Sequence, residues 1–161
     1  MRTIEVVVLL GMVLSIGSRS SFAQTGPSHR QQVQMHERRA AEFLKQNNPE
    51  QAIAEFKAII SLDPNNPDAQ GNLGAVLFFQ GNYPDAVSHL RTAVKSKPAL
   101  SKTRALLGMA EKRTGDFSAA RLDLEKAFPK LEEEKIKIES GMELIELYSG
   151  IGDLEKAATI V

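Results

Sequence analysis

The stretch Gly71–Pro98, GNLGAVLFFQGNYPDAVSHLRTAVKSKP, predicts two short helices joined by a tight turn. Apolar or small residues at i, i+1, i+4 and i+5 between Leu73 and Phe78 form one face of the first helix. Gly81 tolerates the left-handed conformation that ends a helix, and Pro84 suits the first turn of the next one. Pro98 prevents that second helix from continuing. The stretch is therefore a helix–turn–helix unit.

Equivalent residues recur along the chain with one period. The small residue of each second helix is found at Ala52, Ala86, Ala120 and Ala157, at spacings of 34, 34 and 37 residues. The turns follow the same rule, at Asn47-Asn48, Gly81-Asn82, Gly115-Asp116 and Gly152-Asp153, as does the large apolar residue four places after each alanine, at Phe56, Leu90, Leu124 and Val161. A fixed period of this length predicts an array of stacked repeats.

The pattern resembles the tetratricopeptide repeat, a helix pair of about 34 residues with the signature W-x2-L-G-x2-Y…A-x3-F…P. The central unit matches as Gln70-x2-Leu73-Gly74-x2-Leu77…Ala86-x3-Leu90…Pro98, with its aromatic positions replaced. The resemblance implies an all-α fold, a right-handed α-α superhelix of about three and a half helix-turn-helix repeats. Its units are predicted at about residues 33–66, 67–100, 101–137 and 138–161, within a repeat domain of residues 31–161, and the last unit is incomplete.

Prolines, asparagines and glycines predict the helix ends. Helices are expected at Gln31–Gln46 and Pro49–Leu62, from Pro67, at Ser101–Arg113 and Phe117–Phe128, and from Leu154. Three extra residues precede the fourth unit, where Leu131–Ile138 is expected to extend the start of the next helix. The apolar residues of the last helix favour a chain that is the N-terminal part of a longer repeat protein.

The first 23 residues predict a secretory signal peptide. A positive start at Arg2 precedes the apolar run Val6–Gly17, and Ser21-Phe22-Ala23 offers a cleavage site. An uncleaved membrane anchor is the alternative, but spanning a bilayer needs about 20 apolar residues. We expect cleavage after Ala23, a periplasmic or secreted protein without stable membrane insertion, and a disordered lead over residues 24–30.

Composition and motifs exclude several classes of function. The formal net charge is zero, which argues against a nucleic-acid binder, and the absence of cysteine excludes disulfides and thiolate chemistry. The three histidines fit no metal-site spacing, and Glu132–Glu134 predicts a solvated helix start rather than a metal site. Neither H-E-x-x-H nor G-x-S-x-G occurs. We therefore expect no enzyme, no cofactor and no metal.

In the tetratricopeptide family the first helices of successive units line a concave groove that accepts extended peptides or partner helices. The matching positions here are Glu37, Ala41, Leu44 and Lys45; Gly71, Ala75, Phe78 and Phe79; Ala105, Met109, Lys112 and Arg113, with Lys102 near the start of that helix; and Met142, Glu146 and Ser149. The predicted partner-binding residues are Lys45, Phe78, Phe79, Lys102, Met109, Lys112 and Arg113.

Adjacent residues of a helix point in different directions, so Phe78 and Phe79 cannot both be buried in the same way. We expect at least one to face the concave groove, ringed by the four cations, and to accept a peptide with an apolar anchor and acidic flanks. The alternative is that both rings pack between helices and that the cations are ordinary solvated residues. In the best-known peptide-binding version, a lysine and an asparagine of the first unit clamp a C-terminal carboxylate; Glu37 and Ala41 occupy those places here, which argues against that ligand.

The expected function is that of an exported, non-catalytic scaffold that binds a protein or peptide in the concave groove. The alternative is an N-terminal helper domain of a larger envelope protein or enzyme whose active part lies beyond residue 161. A structural spacer without a groove ligand also stays open.

Overall fold

The computed structural model describes residues 26–160, and every regular element among them is helical. The helices are α1 His29–Lys45, α2 Pro49–Leu62, α3 Pro67–Phe79, α4 Tyr83–Ser96, α5 Ser101–Arg113, α6 Phe117–Ala127, α7 Glu134–Gly150 and α8 Leu154–Thr159, with a short 3-10 turn at Phe128–Lys130 after α6. The predicted signal peptide, residues 1–23, and Val161 lie outside the described residues.

Helix starts and ends follow the predicted signals with three exceptions. α1 begins at His29, two residues early, because Ser28 and Gln31 form a capping box, so the end of the predicted disordered lead is helical. α6 ends at Ala127, where the chain tightens into the 3-10 turn. α7 begins only at Glu134, so residues 131–133 of the predicted extension stay outside the helix.

Each unit turns through a residue in the left-handed conformation. Gly81, Gly115 and Gly152 have φ values of 79°, 87° and 79°, and Asn47 has a φ of 54° at the corresponding turn of the first unit. Glycine adopts this conformation without strain, and asparagine is the non-glycine residue that tolerates it best. The period seen in the sequence is therefore a period of helix hairpins.

The two helices of a unit approach closely at a glycine of the first helix. A Cβ atom added to Gly74 would lie 2.6 Å from Leu90 Cγ, and one added to Gly108 would lie 2.7 Å from Leu124 Cγ. Such distances are far below van der Waals contact, so the glycines set the spacing between the paired helices. The alanines of the second helices are buried as well: Ala52, Ala86 and Ala120 are 0% exposed and Ala157 is 8% exposed. This burial confirms the stacked-hairpin prediction.

Neighbouring units stack so that the first helices lie on the inside of the curve. α3 contacts α5 and α5 contacts α7, whereas α2, α4 and α6 reach the next unit mainly through its first helix. Helices that contact their equivalents in the next unit are closer together, so the array curves towards α1, α3, α5 and α7. The fold is an α-α superhelix, and its concave side is the predicted side.

Candidate functional site

Phe79 is the large apolar side chain most exposed on the described part of the chain, at 78%. Phe78 is half-buried, and its ring meets the rings of Phe79 and Tyr83 edge-on, with centroid distances of 5.4 and 5.6 Å. Phe78 therefore belongs to the packing between units, and only Phe79 projects outward. Phe78 holds the Phe79 ring from behind, which limits the conformational entropy that Phe79 would lose on contact with a ligand.

A cleft of about 280 Å³ lies beside Phe79, where the first two units meet. Its walls combine apolar side chains with amides, and we call it the Phe79 cleft: Leu44, Asn47, Asn48, Pro49, Val76, Phe79 and Gln80. Leu44 is 43% exposed, so two large apolar residues face solvent at one place. Gln80 Nε2 donates a 3.3 Å hydrogen bond to Glu50 Oε1 and ties α3 to α2 beside the cleft. The sequence pointed to Phe79 and Leu44 but not to Val76, although Val76 lies three residues before Phe79 on the same helix face.

Three of the four predicted groove cations are neutralised by acidic residues of the fourth unit. Lys112 pairs with both Glu143 and Glu146, and Arg113 Nη2 donates a 3.0 Å hydrogen bond to Glu143 Oε1. Lys102 pairs with Glu133 just before α7. These side chains therefore join the third and fourth units, which differs from the predicted positive ring around the phenylalanines.

The pKa values of these groups reflect the same pairing. Burial disfavours charge on Lys112, but its two glutamate partners outweigh burial and raise the pKa of Lys112. The hydrogen bond from Lys112 lowers the pKa of Glu146, and the hydrogen bond from Lys102 lowers that of Glu133. Lys45, at the end of α1, is exposed and makes no ion pair within residues 26–160. It is the predicted cation whose charge is available near the Phe79 cleft.

Met109 does not line the concave groove, contrary to the prediction. It is 4% exposed and packs in a core cluster with Leu144, Leu147 and Tyr148 of α7. The family position is open only where the next first helix leaves it uncovered, and here α7 packs on α5. Ala105 and Gly71 are buried at the matching places of their helices.

Two hydrogen-bonded polar pairs join consecutive units at equivalent positions. Arg91 Nη2 of α4 donates a 2.7 Å hydrogen bond to Glu111 Oε1 of α5, and Tyr148 Oη of α7 donates one of the same length to Glu125 Oε1 of α6. Glu111 is 1% exposed, and burial raises its pKa although Arg91 opposes that shift. A buried titratable residue can mark a functional site. Here its partner is a side chain of the neighbouring unit, which gives it a structural role.

Other kinds of site find no support in the part of the chain that the structure describes. Between residues 26 and 160, no three or more histidine, aspartate or glutamate side chains are grouped so as to hold a metal ion. Over the same residues, no helix combines the length and apolar character that crossing a bilayer requires.

The family comparison agrees with this geometry. Residues 43–110, from the end of α1 to α5, match the family model described as tetratricopeptide repeat. Residues 43–110 are tetratricopeptide repeats. The human protein "Tetratricopeptide repeat protein 34" is 30% identical over 82 residues, which is 51% of this chain. The chain spans only 14% of the length of that relative.

Solved tetratricopeptide structures share the fold. The crystal structure of MamA protein superposes with a TM-score of 0.71 at 20% identity, covering 80% of this chain and 69% of MamA. The first tetratricopeptide domain of Spaghetti (RPAP3), bound to the HSP90 peptide SRMEEVD, superposes with a TM-score of 0.66 at 21% identity, covering 75% and 94% of the two chains. At these identities the likeness shows the superhelical fold and leaves the ligand of this chain open.

Proposed function

We propose that this chain is a non-catalytic scaffold that binds an extended peptide or a partner protein in its concave groove, with the Phe79 cleft as the anchor site. The observation that carries the proposal is the 78% exposure of Phe79 beside Leu44, at a cleft of about 280 Å³ between two units. An aromatic ring held rigidly at a concave junction is the kind of residue that dominates binding energy in protein interfaces. The bound peptide of the Spaghetti domain shows that the fold itself can hold a peptide.

The ligand we propose has an apolar side chain for the cleft and acidic residues beside it. Burying such a side chain against Phe79 and Leu44 supplies the affinity, and Lys45 favours a neighbouring carboxylate. Because Lys102, Lys112 and Arg113 already pair with glutamates, the preference for acid is confined to the side of the cleft near Lys45. Glu37 and Ala41 leave no clamp for a C-terminal carboxylate, so the peptide SRMEEVD serves as a negative probe.

The proposal is tested with short labelled peptides that carry one central leucine flanked by aspartates, by serines or by lysines. Fluorescence anisotropy of each peptide is followed on titration with the purified chain, with Phe79→Ala, and with Phe117→Ala as a matched control. Phe117 is another exposed phenylalanine, at 59%, but lies on α6 in the third unit. We expect Phe79→Ala to weaken the aspartate-flanked peptide by about tenfold and Phe117→Ala to leave it unchanged. Both variants should keep the wild-type circular dichroism spectrum because both rings are largely exposed.

Equal binding of the three flanked peptides would remove the electrostatic part of the proposal. Equal binding by wild type and Phe79→Ala would remove the anchor site itself. Lys45→Glu separates the two parts further: it should reverse the preference between aspartate and lysine flanks without abolishing binding of the serine-flanked peptide.

Export is part of the same proposal and rests on the sequence of residues 1–23. N-terminal sequencing of the protein recovered from the periplasm or the medium should start at Gln24, and recovery of intact Met1 from the cytoplasm would contradict export. The helper-domain alternative predicts a different domain encoded after codon 161, and sequencing the downstream DNA decides between the two.

A further inference from the structure

A second apolar surface lies at the other end of the array, away from the Phe79 cleft. It is a groove of about 410 Å³, here called the α7 groove, lined by Phe128, Lys137, Ile138, Gly141, Met142, Ile145 and Ile160. Ile138 and Met142 are 55% and 59% exposed. Two large apolar residues one turn apart on the same helix, with further apolar residues around them, form a contiguous patch rather than a scattered exposure.

The second unit shows what kind of element occupies the equivalent place. Gly141 and Ile160 are separated by 19 residues, as are Gln70 and His89, and a Cβ added to Gly141 would lie 3.3 Å from Ile160 Cγ2. In the second unit α4 continues beyond His89, and a Cβ on Gly71 would lie 3.7 Å from Ala93 Cβ. Met142 follows Gly141 as Gly71 follows Gln70. The space over Met142 is therefore equivalent to the space that the second half of α4 fills.

In the described part of the chain, that space in the fourth unit holds no helix. α8 has 6 residues, whereas α2 and α4 have 14 and α6 has 11. The first turns of α7 consequently lack the second helix that covers α1, α3 and α5. A helix is the shape that fits, because the α7 groove is bounded by α7 on one side and by Phe128 and Ile160 on the others.

Charge narrows the chemistry of the occupant. Lys137 is the one charged residue among those that line the α7 groove, and its Nζ lies 5.8 Å from the centroid of the Phe128 ring. The chain's own second helices show the matching apolar stripe, for example Ala120, Leu124 and Ala127, at intervals of four and three residues. We propose that the α7 groove binds an amphipathic helix of a partner protein, with small and apolar residues at this spacing and an acidic residue beside Lys137.

The probe is a labelled peptide with the sequence of residues 116–130, DFSAARLDLEKAFPK, which carries the α6 stripe together with three acidic residues. Its anisotropy is measured against the full chain, Met142→Glu, and the matched control Met35→Glu, which changes an exposed methionine at the opposite end of the array. We expect Met142→Glu to weaken binding by about tenfold or more, Met35→Glu to leave it unchanged, and a peptide with Leu124→Lys not to bind. Light scattering on each protein alone reports self-association.

A variant that continues α8 within the chain gives an independent test. Appending a copy of residues 91–98 after Val161 places the sequence that follows Leu90 after the equivalent residue of the fourth unit. This extension should raise Tm and abolish peptide binding, because it fills the α7 groove. Absence of peptide binding to wild type, or full binding by Met142→Glu or by the extended chain, would overturn the proposal. A dimer that Met142→Glu dissociates would overturn it in favour of a second copy as the occupant.

Discussion

His89 Nδ1 donates a 2.7 Å hydrogen bond to Gln70 Oε1, and this contact joins the two helices of the second unit. The first and third units have an equivalent pair at the same separation of 19 residues, His36 with Glu55 at 2.5 Å and Arg104 with Asp123 at 2.6 Å. In the fourth unit the pair is replaced by the apolar contact of Gly141 with Ile160. The same position therefore joins the helices of each unit with a different chemistry.

Stability should fall when the pH drops below that at which His89 stays neutral. Burial lowers the pKa of His89 from 6.5, with a smaller effect of Lys57 in the same direction and an opposing effect of Asp85. The unfolded chain then takes up the proton first, so the contribution of His89 is complete above pH 6.5 and is lost as the pH falls through the lower pKa of the folded state. His89→Gln should reduce this loss in urea unfolding at a series of pH values. An NMR titration of His89 with a midpoint above 6.5 would contradict the assignment.

The three polar pairs should be interchangeable between units. Arg104→Gln leaves Asp123 half-buried without its partner and should cost about 1–3 kcal/mol in the free energy of unfolding. Adding Asp123→His recreates the Gln–His pair of the second unit and should recover at least half of that loss. Urea unfolding of the single and double variants measures the recovery. A double variant no more stable than Arg104→Gln would show that the surroundings, rather than the pair, set the chemistry.

A methyl group at the close approach of α3 and α4 should destabilise the fold. Gly74→Ala forces Leu90 out of position and should cost about 1–3 kcal/mol. Gly150→Ala is the matched control, because nothing lies within 4 Å of its added Cβ and the residue is helical. The control should be neutral or more stable by up to about 1 kcal/mol. Equal effects of the two substitutions in thermal unfolding would contradict the role of Gly74.

Tyr148 should ionise only in strongly alkaline solution. Burial, and next its hydrogen bond to Glu125, raise the pKa of Tyr148 from 10.0 to about 12. The folded state therefore holds the phenolic proton more tightly, and this contribution to stability is present below pH 10 and lost as the pH rises towards 12. The difference between wild type and Tyr148→Phe in near-ultraviolet absorbance titrations isolates this group. A midpoint near 10 would mean that the contact with Glu125 does not persist in solution.

Local signals in the sequence were enough for most of the fold. Asn48-Pro49 and the three turn glycines mark helix ends through backbone chemistry, and α2 and α5 have the predicted bounds. The start of α1 was missed although its signal was present, because Ser28 and Gln31 have the spacing of a capping box.

The candidate site depended on contacts between units, which spacing alone does not supply. Nothing in the sequence around Met109 indicates that α7 covers it, or that Lys112 lies next to Glu143 and Glu146 more than 30 residues later. Phe79 was the opposite case: adjacency to Phe78 in a helix is a local constraint, and local constraints survive stacking. The polar pairs lie between these cases, since their 19-residue separation follows from the period and could have been found.

Repeated hairpins are prone to misfold by pairing the first helix of one unit with the second helix of another, since their apolar faces are nearly interchangeable. The different polar pairs oppose this error. Pairing the helix of Arg104 with that of His89 would bring two cationic or donor groups together, and pairing the helix of His36 with that of Asp123 would leave Arg104 without its carboxylate. The varied chemistry at one repeated position thus acts as an address that directs each helix to its own neighbour during folding.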